Sequence, residues 1–334
     1  MFDVITIGTA TRDVFLQSSL FKVLKDPAHL KKIGFKTGEA ECFALGSKIE
    51  VSEPVFSLGG GAANAAVTFA RQGLRTAALI RIGADETGES IIKSLKGEKV
   101  TPLVVTDKKE KTGYSTILLT PGGERTILVH RGASTGFKRR EIPFPKLKCR
   151  FAYIAPGTIQ PAVLRDIVAT LKRGGTTIAM NPSKHYLEKD GRLVKPLAND
   201  IDIFIVNREE ASYLTGVNYS DPRRIFKKLD EFIKGVAIMT DGPKGAYVSD
   251  GEYFYQAKTF KERMIVDRTG AGDAFGSGFV AALIQKKDIL RALRLASANA
   301  TSVVEAVGAE KGILRRKDLA AKRWQYLDMD FEPL

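Results

Sequence analysis

Residues 266–283 read Val-Asp-Arg-Thr-Gly-Ala-Gly-Asp-Ala-Phe-Gly-Ser-Gly-Phe-Val-Ala-Ala-Leu. A β-favouring hairpin, Gly245–Gln256, precedes this stretch, and apolar residues at helical spacing follow it. Between them lies a turn of small residues holding one carboxylate, Asp273. Such a turn presents backbone N–H groups at a helix N-terminus, where the aligned peptide dipoles favour an anion. A phosphate in that place repels a carboxylate, so Asp273 needs a further reason to be there. A general base for a hydroxyl that attacks the phosphate is such a reason. The plainer alternative is a glycine-rich strand-to-helix turn in which Asp273 is an ordinary cap.

Working outward, short apolar runs alternate with helical patterns. Val4–Gly8, Ala77–Ile82, Phe151–Ala155, Thr177–Met180, Ile203–Asn207 and Val236–Thr240 are continuously apolar, as strands buried on both faces are. Helices are expected over Ala62–Arg71, ending at Gly73, over Pro161–Arg173, ending at Gly174-Gly175, and over Ile289–Val304. Another starts at Asp221-Pro222, a capping carboxylate followed by proline at the first helical position. The alternation predicts an α/β fold, a doubly wound and mostly parallel sheet flanked by helices. Residues 35–57 and 113–132 break the rhythm with shorter, alternating β patterns, the second turning at Pro121-Gly122-Gly123 between Thr116–Thr120 and Thr126–Val129.

Composition narrows the function. The chain has 334 residues, 44% hydrophobic and 27% charged, which suits a large core and one or two domains. No apolar run approaches the ~20 residues that span a bilayer, and the N-terminus reads as a buried strand, not a signal peptide. Cys42 and Cys149 lie far apart and suggest a reducing compartment. His29, His130 and His185 do not fall at metal-ligand spacing with either cysteine, which argues against a zinc enzyme. The formal charge is +14, with one contributor at 131–150, where Arg131, Lys138, Arg139, Arg140, Lys146, Lys148 and Arg150 face only Glu141. A solvated basic surface that attracts anionic substrates explains this better than nucleic-acid binding, because aromatics are sparse and no recognition motif accompanies it.

Other nucleotide folds fit poorly. Gly276-Ser-Gly278-Phe-Val-Ala281 matches Gly-x-Gly-x-x-Ala, but it lies inside the expected helix and no acid follows about twenty residues later. No Gly-Lys-Ser/Thr occurs anywhere, so a standard P-loop is absent.

Asp267-Arg268-Thr269-Gly270-Ala271-Gly272-Asp273 resembles the C-terminal signature of the ribokinase/PfkB family of small-molecule kinases. Gly59-Gly60-Gly61-Ala62-Ala63-Asn64 resembles its N-terminal signature, Gly-Gly-x-x-x-Asn, and Asn207-Arg-Glu-Glu210 its Asn-x-x-Glu motif. The similarity runs from Asp3 to about Gly312. It implies a single ribokinase-like domain over residues 1–334, with a small β lid from about 14–57 and 108–133 inserted in the α/β core. It implies that the Gly270–Gly272 turn, Ala271 included, is the anion hole for the transferred phosphoryl group and that Asp273 takes the proton from the acceptor. Asp13, in Gly8-Thr-Ala-Thr-Arg-Asp13, would hold acceptor hydroxyls together with Gly60, Gly61 and Asn64.

The resemblance further places ATP against Thr240, Gly242 and Gly245 of Thr240-Asp-Gly242-Pro-Lys-Gly245, with Lys244 adding charge and Asn299 beside the adenine. Asn207 and Glu210 would organise Mg²⁺ through water, which suits an ion that retains its waters. Asp267 and Thr269 match half of the family's monovalent-cation (K⁺) site, while Val303–Gly312 lacks the expected serine where Gly312 stands. Arg268 replaces a smaller residue often seen in the family. Gly83-Ala-Asp85-Glu-Thr-Gly88 reads as turn architecture with a substrate-side role open to it. The implied activity is ATP-dependent phosphorylation of an alcohol on a small polyhydroxy substrate, in the cytoplasm, away from membranes and nucleic acid, with a homodimer through the lid. Sugar and nucleoside acceptors share every motif. Phe151–Ala155 ends in Pro156-Gly157 without the acid that helps ribokinases hold ribose, and Gly61 stands where they often place Lys; both argue against ribose itself. A non-catalytic nucleotide- or RNA-binding protein is the alternative of a different class.

Overall fold

The structure is a computed structural model that describes residues 1–35, 38–120, 125–183, 186–187, 194 and 196–333. The Pro121-Gly122-Gly123 turn and His185 lie outside the described residues. In chain order the strands are β1 (Phe2–Gly8), β2 (Thr11–Gln17), β3 (Lys22–Lys25), β4 (Glu39–Cys42), β5 (Val55–Gly59), β6 (Thr76–Gly83), β7 (Thr101–Asp107) and β8 (Tyr114–Leu119). There follow β9 (Arg125–His130), β10 (Cys149–Ala155), β11 (Thr177–Met180), β12 (Ile203–Asn207), β13 (Val236–Thr240), β14 (Ala246–Ser249), β15 (Tyr253–Ala257) and β16 (Met329–Pro333).

Ten of these strands form one sheet in the order β16-β15-β14-β13-β12-β11-β10-β1-β6-β7. All pairings from β13 through β7 are parallel, and β14, β15 and β16 add an antiparallel edge. Val4, Ile5 and Ile7 of β1 are completely buried, as continuous apolarity predicts for a strand covered on both faces. Helices Pro161–Arg173, Arg208–Thr215 and Pro222–Asp230 bury their apolar stripes in one core cluster. Gly61–Arg71, Ala271–Ile284 and Ile289–Val304 contribute to the others. Ala271–Ile284 is buried nearly all round, so its glycines serve packing: a Cβ on Gly278 would lie 3.2 Å from Ala296 Cα in the next helix. That contact accounts for the dinucleotide-like glycine spacing.

Strand order reverses at β1, which pairs with β10 on one side and β6 on the other. In open α/β sheets ligands bind beyond the strand C-termini at such a switch point. A second sheet, β5-β2-β8-β9, stands over this edge, and β3 and β4 form a separate hairpin. In chain order the first strand of the sheet β5-β2-β8-β9 is β2, which begins at Thr11, close after β1 and three residues before the start expected for the lid. Strands β7 and β16 and helix Glu86–Gly97 were not anticipated from the sequence. Among the described residues no helix is long and apolar enough to cross a membrane.

Candidate active site

Two cavities meet at the turn that precedes helix Ala271–Ile284. The first, about 220 Å³, is lined by Thr240, Gly242, Gly245, Arg268, Ala271 and Gly272. The second, about 230 Å³, is lined by Thr9, Asp13, Gly60, Ser115, Arg131 and Thr269. Arg268 faces one and its neighbour Thr269 the other, so residues 268–272 form the sill between them.

The sill is held in an unusual backbone shape. Gly270 has φ 78°, and a Cβ there would stand 2.4 Å from Ala309 Cβ. Asp267 is buried and braces the turn, its Oδ1 accepting from the Thr269 amide (2.9 Å) and hydroxyl (2.7 Å) and its Oδ2 from the Gly308 amide (3.1 Å). No side chain caps the helix that follows, and at Gly272 an added Cβ would meet nothing within 4 Å. The Ala271 amide donates to the Arg268 carbonyl only at 3.4 Å, and the helix N-terminus lacks a side-chain cap beside the open space at Gly272, an arrangement suited to an anion.

Asp273 sits in that first turn. Asn64 Nδ2 donates to its Oδ2 at 2.9 Å, linking the two glycine-rich motifs across the chain. Gly61 completes the approach, since a Cβ on it would stand 3.4 Å from Asp273 Oδ1. Burial pushes the Asp273 carboxyl above the usual carboxylate range, the Asn64 bond opposes this, and Asp13 adds to it. Asp13 is also buried and raised, first by burial, against hydrogen bonds from Thr11 (2.9 Å) and Ser115. Its seat depends on Gly59, where a Cβ would fall 2.1 Å from Asp13 Oδ2. Gly60 has φ 93° and leaves no room for a side chain against Thr9 and Ala10.

Asn207 and Glu210 come together as a reciprocal capping box, Asn207 Oδ1 accepting from the Glu210 amide and Glu210 Oε2 from the Asn207 amide, each at 2.9 Å. The β12–β13 register sets Asn207 beside Thr240, but neither capping residue lines either cavity. One expectation needs correction. Asn299 does not reach a nucleotide pocket: it is fully buried, donating to the Ala274 carbonyl (2.8 Å) and accepting from the Leu314 amide (2.9 Å). The same helix lines the first cavity with Ser297, Ala300, Thr301 and Val304. Asp85 also has a structural task, capping helix Glu86–Gly97 and bonding the Thr112 amide and hydroxyl.

Several site residues escaped the sequence reading. Arg208 and Asp241 form a buried ion pair (2.8 Å) that ties the Asn207 motif to the 240–245 loop, and the Arg208 guanidinium lies over the Tyr219 ring. Arg131, read as one charge of a basic surface, lines the Asp13 cavity. Tyr153 is buried behind helix Ala271–Ile284, where Gly276 makes room for its hydroxyl, and burial and Asp273 push that phenol up. The rest of the 131–150 stretch is partly neutralised, with Arg139 paired to Asp166 and Arg150 near Asp3.

The chain is similar to known proteins along most of its length. The chain is 29% identical to a ribokinase of Haemophilus influenzae over 269 residues, 78% of this chain and 85% of the relative. It is 28% identical to a cytidine kinase of Thermococcus kodakarensis over 260 residues, 75% and 88% of the two chains. The structure of an Arabidopsis thaliana ribokinase complexed with ribose and ATP superposes with a TM-score of 0.76 at 21% identity, covering 97% of this chain and 99% of that one. The model of the pfkB family carbohydrate kinases matches residues 28–315. With both glycine motifs meeting at Asp273 and the family pattern covering most of its length, the chain belongs to the PfkB family of carbohydrate kinases.

Proposed function

We propose that the protein transfers the γ-phosphoryl group of ATP to an alcohol of a small sugar-type substrate. The observation that carries this reading is the 2.9 Å Asn64–Asp273 bond, which fixes a raised carboxyl in the first turn of the uncapped helix whose residues Ala271 and Gly272 line the first cavity. The acceptor occupies the Asp13 cavity, its hydroxyls donating to Asp13, with Asn64 and the Gly60–Gly61 backbone fixing its orientation. Asp273 accepts the proton of the attacking hydroxyl as the new O–P bond forms and the bond to the ADP oxygen breaks. The amides of Gly270, Ala271 and Gly272 hold the equatorial oxygens, and Arg268 adds positive charge on the nucleotide side. Thr240, Gly242 and Gly245 cradle the nucleotide phosphates.

Magnesium bound with the nucleotide supplies charge neutralisation, and the oxygen donors of Asn207 and Glu210 fit a hard ion held through water. Asp267 already accepts three hydrogen bonds, from Thr269 and Gly308, so a monovalent cation would share its carboxylate with these donors. In this reading the sheet β5-β2-β8-β9 is the lid over the acceptor, and the exposed Leu128 of β9 and Phe56 of β5, in register on the same face, suit a homodimer through it. A nucleoside acceptor is the second reading, favoured by the apolar side chains of Ile117, Ile127 and Val129 in the Asp13 cavity, which suit a base.

A coupled ADP-release screen over pentoses, hexoses, sugar phosphates and nucleosides tests the proposal. Asp273→Asn is expected to keep nucleotide binding and lose at least ~10²-fold in kcat. Near-normal turnover in that variant, or no ADP release with any acceptor, would overturn it. Salt-dependent RNA retention without turnover would favour the binding-protein alternative.

A further inference from the structure

Away from the cleft, a third cavity of about 300 Å³ opens beside the first turns of helix Ile289–Val304. Lys287, Arg291, Arg294 and Arg316 line it, with Leu295 and Gln325. These residues come from the turn between two helices, from the helix itself and from the C-terminal segment, so folding brings them together. Asp288 is the carboxylate beside the cluster, 3.5 Å from Arg291 with both side chains well exposed. Arg294 donates to the Gln325 carbonyl at 3.3 Å, and among the described residues Lys287 and Arg316 make no ion pair. The Lys287 ammonium is pushed below the ordinary lysine range by burial and then by Arg316, Arg294 and Arg291, so the four cations repel one another.

Three unbalanced positive charges around one concavity call for a multivalent anion. Arginine presents forked N–H donors that match phosphate oxygens, and three arginines supply them from different directions. A single carboxylate would leave most of the charge uncompensated. Single-stranded nucleic acid binds along a basic track with aromatic stacking platforms, and no aromatic residue lines this cavity. We infer that the cavity is a binding site for a small polyphosphate-type anion, two or more linked phosphate groups, separate from the nucleotide cleft. The two cavities share one helix but no lining residue.

Calorimetric titration of the full chain with inorganic tripolyphosphate at fixed ionic strength tests the site. In Arg291→Glu/Arg316→Glu one binding event is expected to weaken at least ~10-fold, as loss of charge-assisted contacts predicts. Lys138→Glu/Arg140→Glu carries the same charge change elsewhere and should stay within ~2-fold, since distant charges are screened. Unchanged binding in the first variant, or equal loss in both, overturns the inference. Lys287→Gln/Arg316→Gln provides the same comparison if circular dichroism finds the double reversal unfolded. A single-stranded RNA that displaces tripolyphosphate from this site at equal phosphate concentration assigns it to nucleic acid instead and also overturns the inference. The titration needs no acceptor or turnover, so its result stands apart from that of the kinase reading.

Discussion

Replacing Gly272 with alanine separates what the fold needs from what the chemistry needs. Gly272 is the second residue of helix Ala271–Ile284, its backbone lies outside the left-handed region, and an added Cβ meets no protein atom within 4 Å. The fold has no steric use for glycine there. Alanine restricts the unfolded chain and suits a helix, which stabilises by up to ~1 kcal/mol. For a chain of this size that corresponds to a melting rise of roughly 1–2 °C. The kinase reading demands the opposite effect on turnover, because the methyl group fills the space assigned to the phosphoryl oxygens. Holding the phosphoryl oxygens away from a backbone donor amounts to losing that contact, which costs ~10²–10³ in kcat, about 3–4 kcal/mol. Thermal unfolding and steady-state kinetics on one preparation measure both, and the expectation is a protein that is firmer and nearly inactive. A stabilised variant with wild-type kcat would refute the anion hole, whereas a destabilised one would refute the open space around Gly272.

Gly59→Ala places a Cβ 2.1 Å from Asp13 Oδ2, so the carboxylate must shift; the acceptor KM should rise ~10-fold or more with nucleotide affinity unchanged, and an unaltered KM would remove Asp13 from the acceptor site. Asp241→Ala leaves the Arg208 charge buried without its partner and should cost ~3–5 kcal/mol in denaturant unfolding; a loss below ~1 kcal/mol would mean that solvent screens the pair. With Asp273 raised, kcat should fall as pH drops through its elevated value, and Asn64→Ala, which removes the lowering bond, should move that acid limb to higher pH. A limb that stays in place would assign the titration to another group. Because the folded carboxyl binds its proton more readily than the unfolded one, its contribution to stability improves as pH falls through the folded value.

The parallel core was legible because its strands are continuous apolar runs with clear punctuation. Thr177–Met180, Ile203–Asn207, Val236–Thr240 and helices Pro161–Arg173 and Ile289–Val304 have the bounds the sequence suggests. Strands β7 and β16 were not legible. β7 is an edge strand of mostly half-buried residues, and β16 (Met-Asp-Phe-Glu-Pro) is largely exposed and acidic, a strand only because β15 offers it an edge. The glycine motifs marked the turn before helix Ala271–Ile284, but periodicity could not tell which side of helix Ile289–Val304 meets the cleft. Asn299 therefore looked like a ligand contact, although Ala274 and Leu314, distant in sequence, use its amide. Arg131 stays exposed yet lines the Asp13 cavity, and a basic run does not reveal which of its charges borders a cavity.

Three aspartates gather at the centre, and their partners sort them into roles that sequence spacing alone cannot assign. Asp267 accepts three hydrogen bonds from its own turn and from Gly308, which makes it a brace. Asp13 is held by Thr11 and Ser115 and opens to the second cavity, which suits an acceptor of substrate hydroxyls. Asp273 has one side-chain donor, Asn64, and is raised by burial and by Asp13. Fewer donors to a carboxylate leave it a stronger base, and like charges nearby strengthen it further. Without Asn64, Asp273 would spend more of the working pH range protonated. In the proposed mechanism the proton-accepting role falls to Asp273 because the surrounding donors have been distributed to its neighbours.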